Sequence, residues 1–298
     1  MSSRGNFPSA EARAFLADPI NRDTRVFDPI ALPVWRRDRR SESEARAERI
    51  AKLHGVTLEW QRVAGVRSLI ITPSGWRGES QILYLFGGAF IMGGPLEDLV
   101  ISAALATGTG MQVVSPAYAL APEAPFPAGL NDSLTVAQAI RPLAIAGESA
   151  GGNLALSVAR TLISEGCPVA ALALLSPAAD MSADFDPFDG PDDPTLFPPL
   201  VAEMPEIYAP NVAHNDPSVS PIHGTFSQNW PPTIITTGTR DLFASICQRL
   251  AGLIGNKATL RVWDDMWHVF EYYDGIPESA VSLKEISEFL RANCEGTA

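Results

Sequence analysis

The chain has 298 residues, of which 46% are hydrophobic and 19% are charged, with a mean hydropathy of +0.06. This composition supplies enough apolar material for a large core and excludes a wholly disordered chain. The formal net charge is −12, from 22 basic and 34 acidic residues, which argues against a nucleic-acid partner. No apolar run approaches the roughly 18 residues that a membrane-spanning helix needs.

The N-terminal residues contain no apolar segment typical of a secretory signal. The three cysteines, Cys167, Cys247 and Cys294, are far apart and odd in number, so they form neither a metal-binding spacing nor a disulfide framework. We therefore expect a protein of a reducing, cytoplasmic compartment that uses no metal or other cofactor.

The first 55 residues are rich in Arg and Glu and carry little β-strand signal. Ser41 and Glu44 have the spacing of a capping box and predict a helix that begins there and ends near Leu53. Just before them lies a cluster of four arginines, Arg36, Arg37, Arg39 and Arg40. Such a cluster either binds an anionic ligand or, as is usual for charge runs, forms a solvated face partly paired with Asp38 and Glu42.

From residue 56 onward, short apolar runs bounded by turn residues predict eight β-strands: Val56–Val63, Val66–Thr72, Ile82–Phe86, Met111–Ser115, Leu143–Ala146, Val169–Leu175, Thr233–Thr237 and Thr259–Trp263. Helical patterns lie between most of them, at Leu96–Ala106, Gly129–Ile140, Asn153–Leu162, Leu242–Leu253 and Pro277–Ala292. The first two strands form an antiparallel hairpin at Ala64-Gly65, and the others are expected to be joined by right-handed crossovers. The sequence therefore predicts an α/β fold with a doubly wound, mostly parallel sheet and helices on both faces.

The segment 180–221 interrupts this alternation with nine prolines. Four aromatic residues are interleaved with them: Phe185, Phe188, Phe197 and Tyr208. A long insertion after a strand is typical of a lid or a binding element, although a plain surface loop with incidental aromatics is the alternative.

A candidate nucleophile lies in Gly147-Glu148-Ser149-Ala150-Gly151, which matches the G-x-S-x-G pattern. The pattern alone is weak, but here it follows a predicted strand and precedes a predicted helix. The small neighbours allow a tight, strained turn that exposes the Ser149 hydroxyl above the sheet. The alternative is an ordinary glycine-rich helix start.

The catalytic base is found by elimination among four histidines. In this arrangement the chain order is Ser, then Asp or Glu, then His. His54 precedes Ser149, and His214 and His223 lie before the seventh strand. Only His268 follows the last strand, so we predict that His268 accepts the serine proton rather than being a buried core histidine.

The acidic partner is expected on a loop at the carboxyl end of a strand, where it can orient the imidazole. Asp241 follows the seventh strand directly and is the first choice, although it also suits the N-cap of the next helix. Asp180, just after the sixth strand, is the second choice. Asp264 and Asp265 are close to His268 in sequence and are expected to shape its loop.

The oxyanion hole is predicted in Phe86-Gly87-Gly88-Ala89-Phe90, which follows the third strand. A glycine-rich loop here can direct backbone N–H groups at a substrate carbonyl oxygen, together with the residue after the nucleophile. We expect the donors to be the N–H groups of Gly88, Ala89 and Ala150. Gly93-Gly94 is interpreted as a turn.

These motifs together resemble the hormone-sensitive-lipase-like esterases, family IV of the α/β-hydrolase fold. The resemblance covers roughly residues 80–290. It rests on the Asp241 turn, the His268 loop, Gly147-Glu148-Ser149-Ala150-Gly151-Gly152-Asn153, Tyr118-Ala119-Leu120-Ala121-Pro122-Glu123 with Pro125-Phe126-Pro127, and Asp216-Pro217 with Ser220-Pro221.

The resemblance implies hydrolysis of carboxylic esters, often with short acyl chains, without a metal. It also implies a cap made of residues 1–55 and the insertion 180–221, on a catalytic domain formed by residues 56–298. Enzymes of this type can form homodimers through the last strand and helix. The substrate partner is then a small-molecule ester.

The chain departs from the family where His-Gly-Gly-Gly becomes Phe86-Gly87-Gly88-Ala89 and where Asp-Tyr-Arg becomes Ala117-Tyr118-Ala119. Polar groups near the oxyanion loop are thus replaced by apolar ones. We therefore hypothesise a small apolar or aromatic ester, bound by Phe86, Phe90, Phe185, Phe188, Phe197, Tyr208 and Val269.

The predicted mechanism is two-step acyl transfer, in which Ser149 attacks, His268 takes its proton, Asp241 stabilises the imidazolium and an acyl-enzyme forms. The same groups could cleave an amide, a lactone or a thioester, and a ligand-binding relative that does not hydrolyse is a further alternative. A purely structural role is disfavoured because a strained nucleophile turn serves no packing purpose.

Overall fold

One eight-stranded sheet organises the fold in a computed structural model that describes residues 8–17, 28, 31–78, 80–182 and 184–295. The strands lie in the order β1-β2-β4-β3-β5-β6-β7-β8. Their bounds are Val56–Val63 (β1), Val66–Pro73 (β2), Gln81–Leu85 (β3), Gln112–Pro116 (β4), Ala144–Glu148 (β5), Ala171–Leu175 (β6), Thr233–Gly238 (β7) and Ala258–Trp263 (β8). The predicted α/β sheet with a mostly parallel core is confirmed.

Strand direction changes only at the first edge of this sheet. β1 and β2 form the predicted hairpin, with Ala64 and Gly65 at φ 46° and 92°, and β2 also runs antiparallel to β4. The remaining neighbours pair in parallel, from β4 through β3, β5, β6 and β7 to β8. The carboxyl ends of β3, β5, β6 and β7 therefore meet at one edge of the sheet.

The helices are Ala10–Ala17 (α1), Leu32–His54 (α2), Leu99–Thr109 (α3), Ala128–Ile140 (α4), Ser149–Ser164 (α5), Pro198–Tyr208 (α6), Ala244–Ile254 (α7) and Pro277–Cys294 (α8). Contacts join α3 with α8, α2 with α3, and α4 with α5. Among the described residues, no helix has the length and apolar character to cross a membrane.

Helix α2 starts nine residues before the predicted capping box at Ser41. It begins at Leu32, with Pro33 in its first turn, and ends at Gly55, which adopts φ 64°. Ser41 and Glu44 lie inside the helix, so they cap nothing. Proline is well tolerated in the first turn because its missing N–H has no helical acceptor there. Pro33 is therefore the sequence feature that marks the start of α2.

The proline-rich insertion contains a helix that the sequence pattern concealed. α6 begins with Pro198 and Pro199 in its first turn and continues through Pro205. Leu200, Val201 and Met204 are buried. The plain-loop alternative is therefore incomplete, because the helix turns an apolar face toward the body of the protein.

Arg36 behaves differently from the rest of the arginine cluster. Its guanidinium donates hydrogen bonds to the carbonyl oxygens of Ile91 (2.6 Å) and Ala121 (2.5 Å) and to the carboxylate of Glu123 (2.8 Å). Arg37 instead faces solvent, 73% exposed against 15% for Arg36. Arg37 and Arg39 pair with their predicted partners, Asp38 (3.7 Å) and Glu42 (3.5 Å). Arg36 therefore ties α2 to the loops after β3 and β4.

The Arg36→Ala variant is expected to lose roughly 2 kcal/mol of unfolding free energy, because two backbone carbonyls and one carboxylate lose a charged donor. Urea denaturation measures this change. The matched control, Arg37→Ala, removes an exposed arginine one position away and should stay within about 0.5 kcal/mol of the parent protein. Equal losses of unfolding free energy in the two variants would contradict the role of Arg36 in holding α2 against these loops.

Candidate active site

The turn between β5 and α5 holds Ser149 in a strained backbone conformation. Ser149 is the first residue of α5 and adopts φ 49°, in the left-handed region that L-residues rarely occupy. A Cβ atom at Gly147 would lie 2.4 Å from the Gly151 carbonyl oxygen, and one at Gly151 would lie 2.0 Å from that of Leu85. Only glycine fits these two positions, so the turn needs both.

Three side chains meet at the carboxyl edge of the sheet as a continuous hydrogen-bonded relay. The Ser149 hydroxyl donates to Nε2 of His268 at 2.9 Å, and Nδ1 of His268 donates to Oδ1 of Asp241 at 2.9 Å. The carboxylate is an acceptor only, which selects the tautomer with its proton on Nδ1 and leaves Nε2 free to accept the serine proton. The three residues predicted for this role are thus brought together.

Asp241 is fully buried and is held as a carboxylate by its neighbours. Burial by itself would raise the pKa of Asp241, but the interaction with His268 and hydrogen bonds from Ser176 and Thr237 hold it below its usual value. The Phe243 N–H also donates to Asp241 Oδ1 at 2.9 Å. Helix α7 begins at Ala244, so the Asp241 carboxylate both accepts an N–H in the turn before that helix and faces His268.

The second choice for the acid, Asp180, lies in a different cluster. Its carboxylate accepts hydrogen bonds from Arg249 (2.5 Å) and from the hydroxyl of Ser182 (2.6 Å) and does not contact His268. Asp265 pairs with Arg240 at 2.9 Å, and its N–H donates to the Thr239 hydroxyl. Asp265 therefore links the loop after β7 to the loop that carries His268.

Asp193, from the proline-rich insertion, contacts the loops that carry His268 and Asp241. Its Oδ2 accepts the backbone N–H groups of His268 (3.0 Å) and Leu242 (3.3 Å), and its Oδ1 accepts those of Thr195 (2.8 Å) and Leu196 (3.0 Å). Asp193 is 1% exposed. The buried Asp193 carboxylate thus joins three segments: the loop that carries His268, the turn after Asp241, and the insertion itself.

These two carboxylates also set the basicity of His268. Burial by itself would lower the pKa of the imidazole, but Asp241 and, at longer range, Asp193 outweigh burial and raise it above 6.5. A general base with a raised pKa binds a proton more strongly when Ser149 releases it. Below that pKa the imidazole is already protonated and cannot act as a base.

The loop after β3 forms a turn of consecutive left-handed residues. Gly88, Ala89 and Phe90 adopt φ 111°, 54° and 61°, and the Gly88 carbonyl accepts the N–H of Met92 at 2.9 Å. Gly88 and Ala89 line the same cavity as Ser149. The third predicted donor, Ala150, directly follows Ser149 in α5.

Two buried acids, Glu148 and Asp98, lie against the Gly87 end of this loop. Glu148 and Asp98 are hydrogen-bonded to each other, and both accept the N–H of Gly87. Tyr84 donates a second hydrogen bond to Asp98 at 2.9 Å. Burial, followed by the charge of Asp98, raises the pKa of Glu148 well above its usual value, so the two carboxyl groups share a proton. A Cβ atom at Gly87 would lie 2.0 Å from Glu148, which explains glycine there.

The cavity above Ser149 has a volume of about 210 Å³. One wall is apolar and comes mainly from α6 and the loops after β7 and β8: Leu196, Leu200, Val201, Met204, Phe243 and Val269. The opposite wall is aromatic and charged: Trp35, Arg39, Glu97, Asp98, Tyr272 and Tyr273. Burial and the neighbouring Asp98 raise the pKa of Glu97 to about 7.

None of the six aromatic residues predicted to bind substrate is among the described residues that line this cavity. Of the seven, only Val269 is among the described residues that line the cavity. Phe86 is buried and stacks on Tyr118 with ring centroids 4.1 Å apart, and Phe90 stacks on Tyr208 at 3.6 Å. Aromatic side chains at these positions pack against each other rather than around a ligand. Phe86 therefore does not line the cavity that holds Ser149, contrary to the predicted pocket.

The aromatics of the insertion are also displaced from the cavity. Phe185 packs edge-on against Phe243, with ring centroids 5.8 Å apart, Phe197 is buried before α6, and Phe188 is 66% exposed. Sequence reasoning instead missed Asp193, Asp98 and the cap residue Trp35. Asp193 precedes Pro194 in a turn-like stretch, but no local pattern shows that its carboxylate reaches His268.

Residues 82–272 match the family model of the alpha/beta hydrolase fold. An acetyl-hydrolase of Streptomyces hygroscopicus is 29% identical over 229 residues, which cover 70% of this chain and 75% of that protein. An esterase of Acinetobacter venetianus is 28% identical over 243 residues, covering 76% of this chain and 80% of that one.

Solved structures give the same result at the level of the fold. A hormone-sensitive lipase from a metagenome library superimposes with a TM-score of 0.77 at 30% identity, over 92% of this chain and all of that one. An esterase from the bacterial hormone-sensitive lipase family gives a TM-score of 0.75 at 26% identity, with the same coverage.

The Asp193→Asn variant is expected to lower the imidazole pKa of His268, because it removes a buried negative charge near the ring. It should also cost about 2 kcal/mol of unfolding free energy, since an amide offers one acceptor oxygen where the N–H groups need two. NMR titration of ¹⁵N-labelled histidine measures the first effect. Asp189→Asn, an exposed control in the same insertion, should leave the titration unchanged, and an unchanged midpoint in Asp193→Asn would contradict this account.

The Glu148→Gln variant is expected to flatten the dependence of stability on pH. Folded Glu148 keeps a proton that the unfolded carboxyl releases above about pH 4.5, so the unfolding free energy of the parent protein falls as pH rises from there toward the folded pKa. Glutamine still donates to Asp98 but cannot release a proton. Urea denaturation between about pH 5 and pH 8 tests this, with the exposed Glu48→Gln as control. Identical slopes in all three proteins would exclude the shared proton.

Proposed function

Because this chain belongs to the α/β-hydrolase fold family, among the carboxylic ester hydrolases that resemble hormone-sensitive lipase, we propose that it cleaves small carboxylic esters through Ser149, His268 and Asp241. The observation that carries this proposal is the relay of two 2.9 Å hydrogen bonds that ends at Ser149. Ser149 and His268 both line one cavity.

Acylation begins when the Ser149 hydroxyl attacks the ester carbonyl carbon. His268 Nε2 accepts the hydroxyl proton, and Asp241 stabilises the resulting imidazolium. The carbonyl oxygen becomes an oxyanion, which the N–H groups of Gly88, Ala89 and Ala150 stabilise by hydrogen bonds. Each such donor lowers the barrier by on the order of 3 kcal/mol. His268 then gives its proton to the departing alcohol, and an acyl-enzyme remains.

Deacylation repeats these steps with water. His268 takes a proton from the attacking water and returns it to the Ser149 oxygen as the acid leaves. The left-handed backbone at Gly88 and Ala89 supports an oxyanion loop that is formed before substrate binds, which is how such donors contribute most.

The insertion 180–221 and the N-terminal residues up to 55 act as a cap over the catalytic domain, residues 56–298. The support for this division is that α6 and Trp35 of α2 both contribute walls to the cavity above Ser149. Residues 1–7, 18–27, 29–30 and 183 of the predicted cap lie outside the described residues. A volume of about 210 Å³ lies below the roughly 300 Å³ typical of pockets for drug-sized ligands, and it favours a small ester.

The Ser149→Ala variant is expected to lose ester hydrolysis by a factor on the order of 10⁵ or more, since no other group forms the acyl-enzyme. Hydrolysis of p-nitrophenyl acetate and butyrate measures this loss. Thermal unfolding of the variant should match or exceed that of the parent, because alanine removes only a hydroxyl from the strained turn.

A fluorophosphonate probe provides an independent readout, since it labels only an activated serine. We expect one label, on Ser149 of the parent protein, and none on Ser149→Ala. Ser176→Ala is not a neutral control because Ser176 contacts Asp241, so the exposed Ser164→Ala serves instead. Retained hydrolysis in Ser149→Ala would overturn the proposal, as would a parent protein that neither turns over nor labels.

A further inference from the structure

Glu97 places a half-buried carboxylate on the charged wall of the cavity that holds Ser149. Within the described part of the chain, no group forms a hydrogen bond or an ion pair with this carboxylate. The hydrogen bonds of Glu97 are made by its backbone, whose carbonyl oxygen accepts Arg46 at 3.0 Å and whose N–H donates to Gly94 at 3.0 Å. Burial and the charge of Asp98 raise the pKa of Glu97 to about 7. Above that pH, the uncompensated negative charge is stabilised by any cation that reaches it.

Three aromatic residues lie on the same wall: Trp35, Tyr272 and Tyr273. The face of an aromatic ring attracts cations. Two of these rings already do so, because the guanidinium carbon of Arg39 lies 5.9 Å from the centroid of the Trp35 ring, and that of Arg46 lies 5.4 Å from the centroid of the Tyr272 ring. A carboxylate on a wall of aromatic rings is the combination that binds ammonium groups.

Neither of these arginines neutralises the Glu97 carboxylate by direct contact. Arg46 donates to the Tyr272 hydroxyl at 2.7 Å and to the Glu97 carbonyl, whereas Arg39 pairs with Glu42 at 3.5 Å. The Arg39 side chain is 43% exposed, so solvent weakens its effect on a carboxylate inside the cavity. The charge of Glu97 is therefore available to a ligand.

The opposite wall of the cavity is unsuitable for a charged group. Its residues from α6 include Leu200 and Met204, whose apolar side chains cannot replace the water that a cation would lose. An uncharged acyl group suits that wall. An ester at Ser149 whose acyl part lies there directs its alcohol part toward Glu97.

We propose that Glu97, Trp35 and Tyr272 form a subsite for a cationic group on the alcohol part of the substrate, which makes esters of small amino alcohols the preferred class. This inference rests on the proposed function, because the ester must be cleaved at Ser149. The carboxylate attracts the ammonium group, and the rings replace part of its hydration shell. The departing alcohol carries the cation with it, so the steps at Ser149 and His268 are unchanged.

The test compares two acetates of nearly the same shape, acetylcholine and its carbon analogue neohexyl acetate, in which a tert-butyl group replaces the trimethylammonium group. The measured quantity is the ratio of kcat/KM for acetylcholine to that for neohexyl acetate, followed in a pH-stat. A purely apolar wall would favour the tert-butyl ester, because water solvates the ammonium group better. We expect the parent protein at about pH 8 to favour acetylcholine roughly tenfold. A ratio of one or less would contradict the proposal.

Substitutions on α2 and at Glu97 show which charge is responsible. Glu97→Gln removes the negative charge at nearly constant volume and is expected to lower the ratio roughly tenfold. Arg39→Gln removes the opposing positive charge and is expected to raise the ratio about threefold. Glu48 is exposed on α2 and is not among the described residues that line the cavity. Glu48→Gln should therefore stay within about twofold of the parent ratio, and equal ratios in Glu97→Gln and Glu48→Gln would overturn the proposal.

The pH dependence of the same ratio identifies the group that titrates. The charged and titratable groups around Glu97 belong to Asp98, Arg39, Arg40, Glu44, Arg46, Arg67, Glu148, His268, Tyr272 and Tyr273. Protonation of His268 slows both esters equally, so it cancels in the ratio. Because Glu97 is a carboxylate only above its pKa of about 7, the ratio should rise from about pH 6 to about pH 8 in the parent protein and stay level in Glu97→Gln. An equal rise in both proteins would assign the effect to another group and overturn the role of Glu97.

Inhibition by the two product alcohols separates binding from turnover. Choline and neohexanol are added as inhibitors of the hydrolysis of p-nitrophenyl acetate. We expect choline to compete more strongly in the parent protein and neohexanol to compete more strongly in Glu97→Gln. Hydrolysis of p-nitrophenyl acetate without any preference for acetylcholine or choline overturns this inference alone. Absence of all hydrolysis, with no fluorophosphonate label on Ser149, overturns the proposed function.

Discussion

The left-handed backbone at Ser149 is the constraint on which the rest of the site depends. A φ of 49° turns the chain from β5 into α5 within one residue and leaves the hydroxyl above the carboxyl edge of the sheet. That turn is possible only because Gly147 and Gly151 lack Cβ atoms that would overlap neighbouring carbonyls. The partners of the hydroxyl then come from loops at the same edge, since parallel strands end together there. Asp241 follows β7 and His268 follows β8, so the sheet brings together residues that are 119 positions apart.

Among the buried acids at this edge, Asp241, Asp193 and the Glu148–Asp98 pair are accommodated by three different physical solutions. Asp241 faces an imidazole and several hydrogen-bond donors, and Asp193 is surrounded by backbone N–H groups. Glu148 and Asp98, whose pKa values are both raised by burial, share a proton. Negative charge beside His268 raises the pKa of its imidazole.

The departures from the family pattern affect packing at Phe86 and the cavity wall at Ala89. Phe86 stands where the family has histidine, and it stacks on Tyr118, whose hydroxyl donates to the Phe86 carbonyl at 2.6 Å. Ala89 adopts φ 54° where the family has glycine, so the loop keeps a left-handed conformation with an added methyl group. The remaining walls of the cavity come from α2, α6 and the 3₁₀ turn at Phe270–Tyr272.

The sequence by itself predicted the eight strands, most of the helices between them, and the meeting of Ser149, Asp241 and His268 at one edge of the sheet, because these depend on local apolar runs, glycine spacing and chain order. It misplaced the start of α2, since Ser41 and Glu44 imitate a cap and Pro33 was the true signal. Only the tertiary structure decided that Asp193 supports His268, that Asp98 shares a proton with Glu148, and that Phe86 and Phe188 lie outside the catalytic cavity. Those outcomes depend on which side chains meet across long sequence separations, and composition and periodicity carry no information about such contacts.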